Sequence, residues 1–202
     1  MNFIFDVGNV LVDYKPLLYL ESLFHDEALV VKMHETVFLS QEWVSMDRGL
    51  LTHREACEAF CQREPGFSAA IKRTMDNLPA LFTPISETIE LLPAIKEKGH
   101  GLFYLSNIHK ETRDFLIGEY GFFDLFDGGI FSCDVLEIKP SSEIYRRLLS
   151  KYSLLPGDCL FFDDSPENVE AANNEGLNGI LFTGAGCAQV YLSPARNHTD
   201  MS

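Results

Sequence analysis

Four apolar runs in this chain stop at, or just before, a residue able to do chemistry. Phe3-Ile4-Phe5 stops at Asp6, and Leu102-Phe103-Tyr104-Leu105 stops at Ser106. Gly129-Ile130-Phe131 is followed shortly by Lys139, and Cys159-Leu160-Phe161-Phe162 stops at Asp163-Asp164. A carboxylate, a hydroxyl, an amine and an acidic pair together suit phosphoryl transfer to a carboxylate. Asp6 would attack phosphorus and form an aspartyl-phosphate, which divides one hard step into two. The approach of a carboxylate to an anionic phosphate requires positive charge. Mg²⁺ supplies most of it if oxygen ligands such as Asp6, Asp163 and Asp164 hold the ion. Lys139 would add a further charge. Ser106, with the backbone N–H groups at the start of the next helix, would bind phosphate oxygens.

Taken singly, each residue has an ordinary explanation. Asp6 could form a strand-end turn, Ser106-Asn107 could cap the following helix, and Lys139 could be a solvated loop lysine. In Asp163-Asp164-Ser165-Pro166, Ser165 could be an N-cap and Pro166 the first helical residue, with the acids favoured by the helix dipole. Those explanations treat the positions separately. They leave unexplained why all of them fall at one edge, in order.

That edge requires a particular scaffold. Phe3–Phe5, Gly101–Leu105, Gly129–Ser132, Cys159–Phe162 and Gly179–Phe182 read as short buried strands. Helical patterns over 85–98, 110–120, 141–152 and 166–175 each precede one of the last four. Short apolar strands alternating with helices predict βαβ units and a parallel sheet covered on both faces. In such a sheet, ligands bind beyond the carboxyl ends of the strands. Residues 14–83 carry only helical patterning, including Ala28–Phe38, Trp43–Leu50 and Ser68–Leu78. Thr52 with Glu55 three residues on is a capping-box pattern opening a helix to Arg63. The expected organisation is an α/β core, doubly wound on a five-stranded parallel sheet, from residues 1–13 and 84–202. An all-helical cap of residues 14–83 is inserted in it. Residues 197–200 are expected to be mobile.

The 202 residues suit one domain or a core with an inserted module, and 46% of them are hydrophobic, enough for a real core. The net charge of −14 makes nucleic acid and anionic membrane surfaces poor partners. The five cysteines, Cys57, Cys61, Cys133, Cys159 and Cys187, form no Cys-x-x-Cys pair, and their odd number points to a reducing compartment. No basic segment precedes the first apolar run, and no stretch approaches membrane-spanning length. A cytoplasmic monomer acting on a small phosphorylated substrate is expected.

With these residues in place, the sequence resembles the haloacid dehalogenase superfamily of hydrolases over nearly its whole length. Phe5-Asp6-Val7-Gly8-Asn9-Val10 is similar to the superfamily's nucleophile motif. Leu102–Ser106 resembles its second motif, and Ile138-Lys139-Pro140 with Ile144-Tyr145 its third. Phe161-Phe162-Asp163-Asp164-Ser165-Pro166-Glu167-Asn168 resembles the metal-binding fourth. The inserted helices are similar to a C1-type cap. The resemblance implies a Rossmann-like core, Mg²⁺ and a covalent aspartyl intermediate. It also implies a metal contact from the backbone carbonyl of Gly8. Asn9, Asn107 and Arg48 are further candidates for substrate contact.

One position departs from the pattern. Phosphatases of the superfamily usually carry a second Asp two residues after the nucleophile, to protonate the leaving group and later activate water. Here that residue is Gly8, which cannot do acid–base work. The Gly-Asn-Val form is similar to a bacterial branch that includes a glucose-1-phosphate phosphatase. Losing an acid matters least for good leaving groups, so anomeric phosphates, acyl phosphates and pyrophosphates are the expected substrates. A substitute acid could come from Asp13, His109 or Asp47, although His109 reads as an exposed residue at a helix start. Trp43 beside Asp47 reads as helix core. Two alternatives stand beside the phosphatase. One is a dehalogenase in which Asp6 attacks carbon, which would leave Asp163-Asp164 without a purpose. The other is a non-catalytic binding protein that has lost turnover through Gly8.

Overall fold

The computed structural model describes residues 1–192. Every expected strand forms: β1 (Asn2–Phe5), β2 (Gly101–Ser106), β3 (Gly128–Phe131), β4 (Cys159–Asp163) and β5 (Asn178–Leu181). They make one sheet in the order β3-β2-β1-β4-β5, with every neighbouring pair parallel. β1 lies at the centre, where Phe5 pairs with Tyr104 on one side and Phe162 on the other.

Side chains alternate across the strands, so the sheet has two apolar faces. Phe3, Phe5, Leu102, Leu160 and Phe162 join one buried cluster, and Ile4, Phe103, Leu105, Ile130 and Phe161 join the other. On the first face the rings of Phe3, Phe5 and Phe162 stack, the Phe5–Phe162 centroids 5.0 Å apart. Apolar surface on both faces has to be covered by helices, as parallel sheets require.

Between β1 and β2 the chain forms only helical elements and loops, apart from two isolated bridges. Up to residue 83 these include α1 (Pro16–Leu23), α2 (Glu27–Met33), a π-helical turn (His34–Phe38), α3 (Gln41–Asp47), α4 (His53–Arg63) and α5 (Ser68–Asp76), with short 3-10 turns at Pro65–Phe67 and Leu78–Leu81. The Ser40 hydroxyl caps α3 by accepting the Trp43 N–H at 3.1 Å. The Thr52–Glu55 capping box forms at the start of α4. The chain leaves and returns through a paired neck. The Asp13 N–H donates to the Thr83 carbonyl at 2.7 Å, and the Ile85 N–H donates to the Leu11 carbonyl at 2.8 Å.

The core helices are α6 (Ser86–Ile89), α7 (Leu92–Glu97), α8 (Lys110–Glu119), α9 (Ser132–Val135), α10 (Ser142–Tyr152), α11 (Pro166–Asn174) and α12 (Gly186–Gln189). The single helix expected over 85–98 is therefore two. Pro93 has no N–H to offer the Ile89 carbonyl, so the ladder breaks there and restarts with the proline in its first turn. The helix expected over 28–38 finishes as the π-helical turn. Residues 197–200, read as mobile, lie outside the described residues. All five cysteines are free. No helix among the described residues is long and apolar enough to cross a membrane.

Candidate active site

The chain moves outward from β1 to β2 and β3 on one side, then crosses to β4 and β5 on the other. The carboxyl ends of β1, β2 and β4 therefore surround the point where the winding reverses, which is where open α/β sheets form a crevice. Asp6 follows β1 directly. Its N–H donates to the Phe162 carbonyl at 2.9 Å, continuing the β1–β4 ladder, and its Oδ1 accepts the Val7 N–H at 2.7 Å.

Lys139 lies between two acids. Its Nζ is 2.7 Å from Asp6 Oδ1 and donates to Asp163 Oδ2 at 2.6 Å. All three residues are buried, with Lys139 only 3% exposed. A reciprocal clasp with Asn107 holds the lysine's backbone. The Lys139 N–H donates to Asn107 Oδ1 at 2.8 Å, and Asn107 Nδ2 donates to the Lys139 carbonyl at 3.0 Å. The peptide bond between Lys139 and Pro140 is cis.

Burial pushes the Asp6 carboxyl up to about 7. Lys139 pulls it down, and the nearby charge of Asp163 raises it again. Burial also pulls Lys139 down, but Asp6 and Asp163 outweigh it and hold the ammonium above its ordinary range. Lys139 is therefore a fixed cation between the two carboxylates.

Asp6, Asp163 and Asp164 offer carboxylate oxygens within 4.8 Å of one another. Three formal negative charges against the one positive charge of Lys139 leave two to be balanced, which suits a divalent cation. An all-oxygen donor set of this kind fits Mg²⁺. The donors are held in place from outside. Asn168 Nδ2 donates to both Asp163 oxygens at 3.0 and 3.2 Å, and the Ser165 N–H donates to Asp163 Oδ1 at 2.9 Å. Asn9 has a left-handed backbone with φ 54°, and its Nδ2 donates to Asp164 Oδ2 at 2.9 Å. Its Oδ1 accepts the Tyr14 N–H, also at 2.9 Å.

These groups open onto a cavity of about 310 Å³. Asp6, Gly8, Asn9, Ser106, Asn107, Lys139, Asp164 and Asn168 line its sheet side. Val12, Tyr14, Trp43, Phe82 and Ile108 line an apolar and aromatic wall, with Asp47 and His109 among them. Ser106 is 2% exposed, and among the described residues its hydroxyl makes only a 3.5 Å contact with the Asn107 carbonyl, so it remains able to serve a ligand.

Of the residues expected at the site, Asp163 sits just behind the cavity, fully buried and paired with Lys139. Arg48 is not brought in. It follows the last residue of α3, so it is turned about 100° around the helix axis from Asp47 and is exposed. Asn9 and Asn107 line the cavity, but their amides are spent on Asp164, the Tyr14 N–H and the Lys139 backbone. His109 corrects the sequence reading: it is 1% exposed, not a surface residue. Its Nε2 meets Thr112 Oγ1 at 2.6 Å, and its Nδ1 lies 3.4 Å from Asp47 Oδ1. Trp43 packs edge-on to the His109 ring at 5.1 Å and also faces the cavity. Sequence reasoning passed over Asn168 as a donor. The available signal was its place in the first turn of the helix that follows Asp163.

A model of the haloacid dehalogenase-like hydrolases matches residues 1–176. A sesquiterpene phosphatase of Aspergillus oryzae (astK) is 26% identical over 180 residues, which are 89% of this chain and 88% of that protein. A Porphyromonas gingivalis protein described as a predicted HAD-like family hydrolase superposes with a TM-score of 0.72 at 20% identity, covering 96% of this chain and 98% of that one. A HAD family enzyme of Bacteroides thetaiotaomicron, crystallised with magnesium and inorganic phosphate, superposes with a TM-score of 0.71 at 19% identity. That match covers 87% of this chain and 90% of the other. At these identities the two structures speak for the fold.

Proposed function

Since this chain belongs to the haloacid dehalogenase-like hydrolases, we propose that it is an Mg²⁺-dependent phosphatase of a small phosphorylated metabolite, working through an aspartyl-phosphate on Asp6. The observation that carries this reading is the buried Asp6–Lys139–Asp163 chain beside Asp164, opening into one cavity with Ser106. The likeness to a sesquiterpene phosphatase, and to a fold crystallised with magnesium and phosphate, supports it.

When bound, Mg²⁺ supplies the positive charge that lets a carboxylate approach a phosphate. The residues that would hold it are Asp6, Asp163 and Asp164 through carboxylate oxygens, and Gly8 through its backbone carbonyl. Asp6 attacks phosphorus, the bond from phosphorus to the leaving oxygen breaks, and the phosphoryl group rests on the carboxylate. Lys139 pulls Asp6 toward its ionised form and aims it, and its charge offsets that of the phosphate. Ser106 donates to a phosphate oxygen. Asn107 fastens the Lys139 loop, and Asn168 fixes the Asp163 carboxylate. Water then hydrolyses the aspartyl-phosphate. Residues 14–83 act as a cap, with 1–13 and 84–202 as the catalytic core. The wall of Tyr14, Trp43 and Phe82 receives the organic part of the substrate. An apolar carbon skeleton or the carbon face of a sugar can pack there.

The test is phosphate release from a panel of sugar-1-, alkyl, aryl and isoprenoid phosphates, with Mg²⁺ and with chelator, using Asp6→Asn as the control. Mg²⁺-dependent turnover that disappears in Asp6→Asn is expected. Absence of turnover on every phosphate, or halide release from 2-haloacids without metal, overturns the reading.

A further inference from the structure

Gly8 leaves the proton transfers without a group beside the nucleophile. Across the same cavity, Asp47 closes α3, and among the described residues its carboxylate is the only one on the apolar wall. Its place is fixed from three directions. Trp43, one helical turn earlier, packs edge-on to His109. His109 Nδ1 lies 3.4 Å from Asp47 Oδ1, and the other ring nitrogen is taken by Thr112. The Asp47 backbone carbonyl accepts the Ser132 hydroxyl, which in turn accepts the Ile108 N–H at 2.8 Å. α3 is thereby tied to the loop after β2 and to the end of β3.

We propose that Asp47 is the general acid and base of this hydrolase, standing in from the helical layer for the side chain absent at Gly8, with His109 as its positioning residue. This rests on the phosphatase reading of the site. In the first half-reaction the Asp6 oxygen–phosphorus bond forms and the bond to the leaving oxygen breaks. The electron pair stays on that oxygen, which takes the Asp47 proton. In the second, Asp47 as carboxylate accepts a proton from the water that attacks phosphorus. The bond from phosphorus to Asp6 breaks, and phosphate and the starting enzyme are regenerated. Burial holds the Asp47 carboxyl above the ordinary carboxylate range although His109 pulls it down, which favours the protonated form an acid must offer. The charged and titratable groups that face it are His109, Tyr14 and Cys133. Burial with the Asp47 charge raises the Tyr14 hydroxyl, and burial raises the Cys133 thiol to about 11. His109 is therefore the partner best suited to share a proton with Asp47. With an acid in place, the enzyme is no longer confined to good leaving groups.

The test is a leaving-group series, alkyl to nitrophenyl phosphates, on wild type, Asp47→Asn, His109→Ala and Asp47→Asn with Gly8→Asp. kcat/KM reports only the first half-reaction. It should fall about 10²- to 10⁴-fold for alkyl phosphates in Asp47→Asn and change little for nitrophenyl phosphate. With nitrophenyl phosphate the same variant should give a burst of product, because dephosphorylation has lost its base. His109→Ala should show the same selectivity, less steeply. An added Cβ at Gly8 meets only the Tyr14 Cβ, at 3.7 Å, so Gly8→Asp can place a carboxyl there and should restore part of the alkyl activity. Equal losses across the series, no burst, or a wild type already confined to good leaving groups would overturn the assignment while leaving the phosphatase reading intact. A wild type inactive on every phosphate would overturn both.

Discussion

Asp6→Asn should make the metal-free protein more stable while abolishing turnover. The Asp6 carboxyl rises from 3.8 to about 7 in the fold because burial outweighs the pull of Lys139. A carboxyl whose pKa is higher in the fold than in the unfolded chain binds its proton more tightly when folded. The stability it contributes is complete below about pH 4 and is lost as the pH climbs through about 7. Three pKa units correspond to roughly 4 kcal/mol at about 1.4 kcal/mol per unit, and that is a ceiling. Relaxation of Lys139 toward Asp163, and water entering the cavity, reduce it to about 2–3 kcal/mol. At this chain length that is roughly a 5–10 °C rise in Tm. The amide keeps the shape of the side chain and carries no charge at any pH. Thermal unfolding in chelator should therefore find Asp6→Asn above wild type near pH 8, with the gap closing near pH 4. Added Mg²⁺ should raise wild type more than the variant, because the variant lacks one of the carboxylates proposed to hold the ion. If the variant is the less stable protein near pH 8 in chelator, the Asp6–Lys139 pair is a net stabiliser and the electrostatic account of the site fails.

Two further substitutions probe the supports. Asn168→Ala removes the donor to both Asp163 oxygens and should weaken Mg²⁺ affinity about 10- to 100-fold, read as the metal concentration for half-maximal activity. Gly49 has φ +74°, and a Cβ there would collide with the Cys133 carbonyl, so Gly49→Ala should cost about 1–3 kcal/mol in urea unfolding. It should also lower alkyl phosphate turnover, because it pushes the end of α3 off α9.

The sheet could be read directly, because each strand is a short apolar run and each run meets its polar end within a few residues. Asp6, Ser106 and the Asp163-Asp164 pair share that logic: a polar side chain at the end of a buried parallel strand has only the crevice to enter. Lys139 was found by order along the chain, not by any strand end. On the opposite wall the sequence offers Asp47 and His109 as possible substitute acids, but not their meeting. Asp47 and His109 are 62 positions apart, and no local pattern says that α3 will lie against the start of α8. His109 looked like a surface residue because a histidine before a helix usually is one. Its burial depends on Trp43, from a helix whose orientation periodicity cannot supply. Asn9 and Asn107 are expected at the site and both line the cavity, but periodicity could not show that their amides are already committed to the scaffold. The break at Pro93 was visible in the sequence and was outweighed by the apolar pattern around it.

The paired neck between residues 11–13 and 83–85 bears on how such a protein tolerates change. The two connecting segments are hydrogen-bonded to each other where they leave the sheet, so the long excursion presents joined ends to β1 and β2. The entropy of closing that loop is met at the neck, and beyond it depends only logarithmically on chain length. The sheet's register is therefore insulated from whatever lies past Tyr14 and Thr83. Helices can be lengthened, shortened or exchanged there, and the wall facing the reactive centre redrawn, without moving Asp6 relative to Lys139.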